Sequence, residues 1–278
     1  MSVAREDQLI KQSERPVTIE SLVTDLTNLG LKAGDVVLVH SSMHTLGWVC
    51  GGPVAVIQAL ETVLGEKGTL VMPTHSGENS DPANWSNPPV PESWWQIIRD
   101  SMPAFDPFMT PTRGMGKIPE TFRRQKGVVR SDHPQLSFAA WGRYAQQITR
   151  DHQLQVEMGE NSPLDRIYQL DGKVMLLGVG FGNNTSFHLA EHRADYPAKK
   201  WTNTGCAMKV DGQRKWVSFQ GFDYDDEDFV KIGAAFMKEN SHFVKTGKVG
   251  QADALLIHQK PMVDFAVDWM NTNRFSES

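Results

Sequence analysis

The stretch DVVLVHSSMHTLGWVCGGPVAVIQALETVLGEKGTLVMPT, residues 35–74, decides the fold class. Residues 35–42 are an almost unbroken apolar run that ends in polar residues, which is typical of a buried strand that leads into a loop. A glycine-rich turn follows, and then an apolar helix with Pro53 in its first turn and Gly65 at its end. A second apolar run covers residues 68–74. Strand, turn, helix and strand predict a βαβ unit, and therefore an α/β fold.

Further predicted elements lie on both sides of this unit. Upstream, Thr18 is placed to cap a helix with apolar residues on one face, and Gly30 is placed to end it. Downstream, an Asp-Gly pair within residues 205–219 separates two β-like runs, which predicts a hairpin. The other predicted elements are strands in QLSFAAWG and KVMLLGVG (173–180), a helix beginning near SPLDRIYQL, and helices around 226–239 and 261–271 that flank ADALLIH.

Residues 75–115 form a long insertion that is rich in Trp, Pro and Asn. An insertion of this length and aromatic content is more than a connector, and we expect it to form the packed lid or wall of a site. Neither repeats nor a linker divide the sequence. It predicts one domain over residues 1–278, with a mixed central sheet flanked by helices, the insertion, the hairpin, and a flexible N-terminus over residues 1–16.

The composition is that of an ordinary globular protein, with 40% hydrophobic and 22% charged residues among 278. A formal net charge of -5 argues against nucleic-acid binding, which usually requires a basic surplus. Two cysteines without a C-x-x-C pair make a disulfide framework improbable. The N-terminus lacks an apolar signal region, and the sequence contains no run of roughly 18 apolar residues. We therefore expect a cytoplasmic protein without a membrane partner.

The stretch NNTSFHLAEHR, residues 183–193, contains the spacing His188-x-x-Glu191-His192. This is the H-x-x-E-H pattern of inverted zinc metallopeptidases. The same residues also suit a metal-free general base steadied by a carboxylate, or two polar histidines on a helix surface. The stretch follows an apolar strand and a bend rich in glycine and asparagine, which would place it at the carboxyl edge of the sheet, where α/β proteins bind ligands.

Zinc binding is disfavoured by the sequence downstream of the motif. A catalytic zinc ion needs a third protein ligand in addition to two histidines. The expected region reads ALLIHQKPMVDFAVDWMN and contains no glutamate, and Pro197 limits the helix to two or three turns. We therefore expect no metal, and a zinc metallopeptidase is a remote alternative.

Six long blocks occur in order along the chain: VLVHSSMHTLGWVCGG, LVMPTHSGENSDPANWSNPPVPESWW, FDPFMTPTRGMGKIPETFRR, RSDHPQLSFAAWG, GENSPLDRIYQLDGKVMLLGVG and NTSFHLAEHRADYP. Together they strongly resemble the aminoglycoside 3-N-acetyltransferase family over roughly residues 17–270. The resemblance implies an α/β fold distinct from that of the GNAT acetyltransferases. It also implies transfer of an acetyl group from acetyl-CoA to the 3-amino group of the 2-deoxystreptamine ring, a reaction that confers antibiotic resistance.

The resemblance assigns His188 as the general base. A substrate amine is mostly an ammonium at neutral pH, so its proton must be removed before or during attack on the thioester. A carboxylate is needed to orient the imidazole. Glu191 is close in sequence but could point beside the ring, and the family implies an acidic residue from about FDYDDED (222–228), where we favour Asp225 and Asp228.

Two stretches are expected to bind acetyl-CoA. HSSMHTLGWVCGG lies between a strand and a helix, so its glycines and backbone N–H groups can approach a pyrophosphate. TPTRGMGKIPETF resembles the family segment that lines the pantetheine arm. Ser41, Ser42 or a nearby backbone N–H is expected to stabilise charge on the thioester carbonyl. The residues predicted to contact acetyl-CoA are His40, Ser41, Ser42, Leu46, Gly47, Gly51, Arg113, Met115 and Gly116.

Asp81, Trp85 and Asp106 are predicted to contact the acceptor, because an aminoglycoside is a polycation and its site should carry carboxylates. For Cys50, a buried structural thiol is favoured over an acyl carrier, since no cation or histidine adjoins it in sequence. We therefore expect direct transfer in a ternary complex.

The sequence leaves several alternatives open. Family members usually carry Tyr where this chain has His192, which could change the acceptor pocket. The acceptor could be another amine with no role in resistance, or the chain could be a non-catalytic CoA-binding module. A homodimer is expected only from the frequency of such assemblies.

Overall fold

A seven-stranded mixed sheet forms the centre of the computed structural model, which describes residues 3–274. The strands are β1 (Val36–Ser41), β2 (Thr69–Pro73), β3 (Val129–Arg130), β4 (Phe138–Gly142), β5 (Lys173–Leu177), β6 (Trp201–Val210), β7 (Gln213–Phe222), β8 (Val244–Val249) and β9 (Ala252–His258). The order in the central sheet is β3-β4-β2-β1-β5-β9-β8, and a separate hairpin is formed by β6 and β7.

Helices cover both faces of the sheet. They are α1 (Val3–Gln12), α2 (Ile19–Leu29), α3 (Gly52–Leu64), α4 (Glu92–Ser101), α5 (Lys117–Phe122), α6 (Ala145–Thr149), α7 (Pro163–Gln169), α8 (Ser186–Arg193), α9 (Phe229–Glu239) and α10 (Gln259–Asn273). Within residues 3–274, none of these helices has the length and apolar character needed to cross a membrane.

The central strand β1 shows why both faces are covered. Val36 and Leu38 belong to the core on one side, with α7, α8, α9 and α10, whereas Val37 and Val39 belong to the core on the other side, with α2, α3 and α5. Successive side chains of a strand point to opposite faces, so a strand with a continuous apolar run must be covered on both faces of the sheet. The α/β fold with a mixed sheet, predicted from this run and its βαβ unit, is confirmed.

β1 is parallel to both of its neighbours, β2 and β5. His40 is in register with Leu176 and Ser41 with Leu177, so β1 and β5 end side by side. The loop after each of these ends leads into a helix, α3 after β1 and α8 after β5. The stretch after β1 that is predicted to bind acetyl-CoA and the stretch that contains His188 therefore lie at the same edge of the sheet.

The predicted caps and the hairpin are confirmed. The Thr18 side chain accepts a hydrogen bond from Ser21 N–H, and Gly30 ends α2 with a φ of 104°. Asp211 and Gly212 have φ values of 53° and 76° between β6 and β7, in keeping with a two-residue hairpin turn.

The insertion packs against the hairpin. Asn79 and Ala207 exchange two hydrogen bonds of 2.9 Å and 2.8 Å, and Phe105 N–H donates to the same Ala207 carbonyl at 2.8 Å. These contacts attach both ends of the insertion to β6. In the N-terminal stretch that was predicted to be flexible, the structure places α1, and Trp48 Nε1 donates to Glu6 at 3.3 Å.

Gly178 holds the end of β5 against the loop that follows β1, and we expect Gly178→Ala to be strongly destabilising. Its φ is +68°, and a Cβ there would lie 1.7 Å from Thr45 Oγ1. Left-handed strain of about 1–2 kcal/mol adds to an overpacking cost of about 1–3 kcal/mol. Urea denaturation should therefore show a loss of about 2–5 kcal/mol. Gly180→Ala is the matched control, because a Cβ at Gly180 has no neighbour within 4 Å; equal losses in the two variants would contradict the argument.

Candidate active site

His188 lies in the first turn of α8, and its ring is paired with Glu191 one turn later. The Nδ1 atom of His188 is hydrogen-bonded to Oε2 of Glu191. The glutamate is fully buried, whereas the His188 side chain keeps 12% of its surface exposed. Glu191 thus points at the imidazole rather than beside it, and the carboxylate that contacts His188 is supplied by the same helix.

The second oxygen of Glu191 is also held. Oε1 accepts a 2.7 Å hydrogen bond from Arg274 and a 3.0 Å hydrogen bond from the backbone N–H of Asp225. Arg274 in turn forms a two-point ion pair with Asp228, at 2.6 Å and 2.8 Å. Burial acts to lower the pKa of Arg274, but hydrogen bonds to Asp228 and Glu191 outweigh it and hold the pKa above the ordinary value.

Asp225 and Asp228, the two carboxylates favoured from the sequence, therefore interact with Glu191 and not directly with the imidazole. Asp225 reaches Glu191 through its backbone, and its own carboxylate caps the N–H of Glu227. Asp228 reaches Glu191 through Arg274. Both residues are close to the pair, but neither side chain orients the ring of His188 in the way that Glu191 does.

Aromatic rings pack against His188. The ring centroids of Tyr224 and Phe229 lie 4.5 Å and 4.9 Å from that of His188. The Tyr224 hydroxyl is 2.9 Å from Nε2 of His192, so His192 supports a ring that packs on His188. Within residues 3–274, no hydrogen-bonding partner occupies Nε2 of His188. This nitrogen is the one left to meet a substrate.

Two more histidines adjoin His188 at the ends of β1 and β2. His40 is buried, and its Nε2 lies 3.4 Å from Thr185 Oγ1, just before α8. Burial lowers the pKa of His40 to about 3, and the nearby His188 adds to the shift. Burial lowers the pKa of His75 to about 3 as well, with smaller contributions from His188, His40, His152 and Arg130. Both rings are therefore neutral at physiological pH.

Two buried polar atoms in this region have no partner among the described residues: the hydroxyl oxygen of Ser41 and Nε2 of His75. A buried polar atom without a hydrogen bond is costly, and such atoms commonly mark a ligand or water position. Ser41 ends β1 and was predicted to contact acetyl-CoA. Ser42 continues the strand edge, where its N–H donates to the Leu177 carbonyl at 2.9 Å.

The loop between β1 and α3, helix α1 and the first residue of α5 line a cavity of about 380 Å³. The loop contributes Gly47, Gly51 and Gly52, all with positive φ, α1 contributes Glu6 and Leu9, and α5 contributes Lys117. A Cβ at Gly52 would have no neighbour within 4 Å, so the backbone at the start of α3 is open to a ligand. The two stretches predicted to bind acetyl-CoA thus meet, and this geometry fits a phosphate-bearing ligand.

The other predicted contacts of acetyl-CoA differ in their exposure. Arg113 is exposed and pairs with Glu78 at 3.0 Å. Gly116 is exposed with a φ of 89° directly before α5, and Met115 beside it is half-buried. Leu46, in contrast, is fully buried in the core beneath the loop, so its side chain does not face a ligand.

The residues predicted to bind an acceptor are partnered mainly within the insertion. Asp81 accepts hydrogen bonds from Arg99 at 2.7 Å and 3.2 Å. Asp106 accepts the N–H groups of residues 108 and 109, and Trp85 Nε1 donates to Ser80 at 2.8 Å. These three side chains stabilise the insertion in the structure, and none of these bonds reaches α8.

Two further expectations concern cysteine and metal. Cys50 is exposed, so the prediction of a buried thiol is wrong; the apolar sequence around it forms a surface turn before α3. Among residues 3–274, no group of three His, Cys, Asp or Glu side chains is arranged to hold a metal ion. In the two histidines of the zinc motif, Nδ1 of His188 is hydrogen-bonded to Glu191, and Nε2 of His192 lies 2.9 Å from the Tyr224 hydroxyl.

A sequence model of the family described as aminoglycoside 3-N-acetyltransferase matches residues 38–271. The chain belongs to this family. The family consists of acyltransferases, and the resemblance seen in the six sequence blocks is confirmed.

Individual family members match over nearly their whole length. The SPbeta prophage-derived aminoglycoside N(3')-acetyltransferase-like protein YokD of Bacillus subtilis is 47% identical over 267 residues, with 96% of this chain and 97% of the relative covered. Its crystal structure superimposes with a TM-score of 0.93 over 96% of this chain and 98% of that chain. Aminoglycoside N(3)-acetyltransferase VII of Streptomyces paromomycinus is 38% identical, with 94% of each sequence covered.

One solved structure in the family contains CoA, the molecule that remains when acetyl-CoA has given up its acetyl group. The AAC-IIIb binary complex with CoASH is 30% identical to this chain, with a TM-score of 0.83 over 95% of this chain and 100% of that chain. These neighbours share the α/β architecture described above, which is distinct from the GNAT fold.

Three residues of the site were missed from the sequence alone: Arg274, His75 and Lys117. His75 follows the apolar run of β2 directly, in the same way as the predicted His40 and Ser41 end β1, and this position could have identified it. Lys117 follows the predicted Gly116. Arg274 carries no local signal, because its contacts with Glu191 and Asp228 span 83 and 46 residues of sequence.

Proposed function

We propose that this protein transfers the acetyl group of acetyl-CoA to the 3-amino group of the 2-deoxystreptamine ring of an aminoglycoside. Membership of the family supports acyl transfer as the reaction class. The names of the relatives support an aminoglycoside as the acceptor and its 3-amino group as the reacting nitrogen. The observation that carries the proposal for this chain is the His188–Glu191 pair, whose buried carboxylate binds Nδ1 and leaves Nε2 for a substrate.

His188 acts as the general base. Its Nε2 takes the proton that the acceptor amine loses as the new C–N bond forms, the thioester C–S bond breaks and the thiolate of CoA leaves. Glu191 keeps the proton of Nδ1 on the side away from the substrate and balances the imidazolium charge that develops. Proton transfer by a positioned base contributes typically about 10²–10⁴-fold to a rate.

Acetyl-CoA is held between the β1–α3 loop and the start of α5. Lys117 and the open backbone at Gly52 line the cavity and suit the negative charge of phosphates, although the carboxylate of Glu6 lines it as well. Ser41 lies at the end of β1, and its buried hydroxyl has no hydrogen-bonding partner among residues 3–274, so it is placed to donate to the thioester carbonyl as charge develops there.

The acceptor is a polycation, and the loop next to His188 is acidic. Asp223, Asp225, Asp226 and Glu227 are exposed on this loop, whose Tyr224 packs on the His188 ring. Exposed carboxylates around a reactive base concentrate ammonium groups there and steer a cationic acceptor toward it.

A thiol-release assay across an acceptor panel tests the function. With acetyl-CoA, we expect free CoA to appear with kanamycin- and gentamicin-type acceptors, and NMR of the product should place one acetyl group on the 3-amino group. A linear polyamine of similar charge is the matched acceptor control. Turnover with the polyamine alone would favour acylation of another amine, and a lack of turnover with every 2-deoxystreptamine compound would exclude the proposed substrate.

Initial-velocity kinetics test direct transfer in a ternary complex. Because His188 serves as a base rather than as an acyl carrier, we expect double-reciprocal lines that intersect when both substrates are varied. Parallel lines would instead indicate a covalent acetyl-enzyme.

A further inference from the structure

Arg274 follows the last turn of α10, and its guanidinium is almost completely buried beside Glu191. It donates to Glu191 Oε1 at 2.7 Å, to both oxygens of Asp228, to the Asp225 carbonyl at 2.8 Å and to the Tyr196 hydroxyl at 3.1 Å. Its position lies beyond residue 271, where the match to the family ends. A buried arginine with this many charge-assisted bonds is rigid.

The contacts of Glu191 explain what this rigidity achieves. A fully buried carboxylate is costly to keep ionised unless a cation or hydrogen bonds compensate it. Arg274 and the Asp225 N–H both bind Oε1, so the carboxylate cannot rotate without losing two bonds. Oε2 is thereby fixed toward Nδ1 of His188.

The charges of the cluster are also matched to proton transfer. Arg274 carries one positive charge, and Glu191 and Asp228 carry one negative charge each, so their sum is negative by one unit. When His188 takes a proton, the cluster becomes neutral. The net negative charge of the cluster therefore stabilises the imidazolium of protonated His188. Without Asp228, the positive charge of Arg274 would cancel the negative charge of Glu191, and this stabilisation would be lost.

We propose that Arg274 is a positioning residue for acetyl transfer, because it fixes the carboxylate of Glu191 so that Oε2 holds His188 in the orientation needed by a general base. This inference rests on the proposed function for its kinetic consequence, but the placement of Glu191 can be measured without an acceptor.

Several other charged groups face the pair and bear on its pH dependence. Lys199 and the hydroxyls of Tyr196 and Tyr224 interact electrostatically with Glu191, and His40, His75 and His192 interact with His188. All of these groups remain in a variant of Arg274. A change in the pH profile of such a variant is therefore due to the missing guanidinium.

Arg274→Met is the central experiment. Relative to the wild type, we expect kcat to fall about 10–100-fold, as misplacement of a catalytic group does, while KM for acetyl-CoA stays within about twofold. We also expect the acidic limb of the kcat profile to move to higher pH, because loss of a cation favours protonation of the His188–Glu191 pair. Arg274→Lys should recover part of the rate, since lysine keeps the charge but cannot bridge Glu191 and Asp228 with a fork.

A matched control tests whether the effect is merely structural. Arg193 lies at the end of α8 and forms ion pairs with Glu160 and Asp165, at 2.8 Å and 2.7 Å, on the same helix as the catalytic pair. Arg193→Met should lower Tm without moving the acidic limb. If both variants lose rate in proportion to their loss of folded protein and neither profile moves, the inference is overturned.

Proton NMR separates this inference from the proposed function. A histidine Nδ1 proton held by a carboxylate gives a far-downfield resonance, which is assigned here by its absence in His188→Gln. We expect Arg274→Met to abolish or strongly shift this resonance and Arg193→Met to preserve it. An unchanged resonance in Arg274→Met overturns the inference whether or not any aminoglycoside is acetylated, whereas absence of turnover in the wild type counts only against the proposed function.

Discussion

His188→Ala lowers the turnover number for acetyl transfer by about 10²–10⁴-fold, whereas the KM for acetyl-CoA changes little. This is the largest kinetic effect that we expect from a single replacement. The ring provides the base, but its contacts are with Glu191, Tyr224 and Phe229, none of which lines the cavity next to Lys117. Thiol release at saturating acetyl-CoA measures the loss.

The pH dependence of the His188→Ala rate distinguishes a missing base from a damaged fold. As pH rises, a growing fraction of the acceptor amine is already deprotonated and needs no base. We therefore expect the deficit of the variant relative to the wild type to shrink at alkaline pH. A variant that is simply misfolded would keep a constant deficit across the same range.

The exposed His242 provides a matched control for this replacement. It lies in the short 3-10 helix Ser241–Phe243, and His242→Ala should leave turnover unchanged. If His188→Ala retained more than about a tenth of the wild-type turnover number, a general-base role worth 10² or more would be contradicted.

The fold was predictable where local patterns agree with packing. The apolar run of β1 and the caps of α2 are strong local signals, and the structure confirms them. β8 was missed because only its end residues, Val244 and Val249, are buried, so it has no alternating pattern. Helix α4 was missed because it has no buried residues and is preceded by a proline-rich stretch.

The site was predictable only to the extent that its residues are neighbours in sequence. His188 and Glu191 are three residues apart on one helix, so the sequence could identify them together even though it could not orient the carboxylate. The choice of Asp225 and Asp228 came close, since both lie in the network around Glu191. Arg274, which connects Asp228 to Glu191, could be identified only from the three-dimensional structure, because no period or spacing relates residues so far apart.

Acidification from pH 7 to pH 5 should remove a large part of the free energy of unfolding, which is the largest stability effect that we expect. His40, His133 and His152 are buried and neutral. Burial lowers the pKa of His40 to about 3 and that of His152 to about 4, and burial also holds the pKa of His133 well below its usual value. In the unfolded chain, a histidine takes up its proton near pH 6.5.

The sign follows from proton uptake. Between pH 6.5 and about pH 4, these histidines bind protons in the unfolded state but not in the folded state, so the free energy of unfolding falls as the pH falls. At pH 5, His40, His75 and His152 each cost about 2 kcal/mol, so these three cost about 6 kcal/mol, and His133 adds to the loss. This is a large part of the stability of a typical domain. Burial raises the pKa values of Glu157 and Asp165, so these two groups gain protons first in the folded state and offset part of the loss.

Urea denaturation at a series of pH values measures this dependence, and a single replacement tests its cause. His152→Gln should reduce the slope of unfolding free energy against pH by about 1.4 kcal/mol per unit, because one fewer proton is taken up on unfolding. Its absolute stability also falls, since His152 Nδ1 lies 2.9 Å from the hydroxyl of Ser131, but the slope is independent of that offset. His242→Gln removes an exposed histidine and should leave the slope as it is. A stability that stays level between pH 7 and pH 5, or a slope that His152→Gln does not reduce, would show that the buried histidines do not govern acid unfolding.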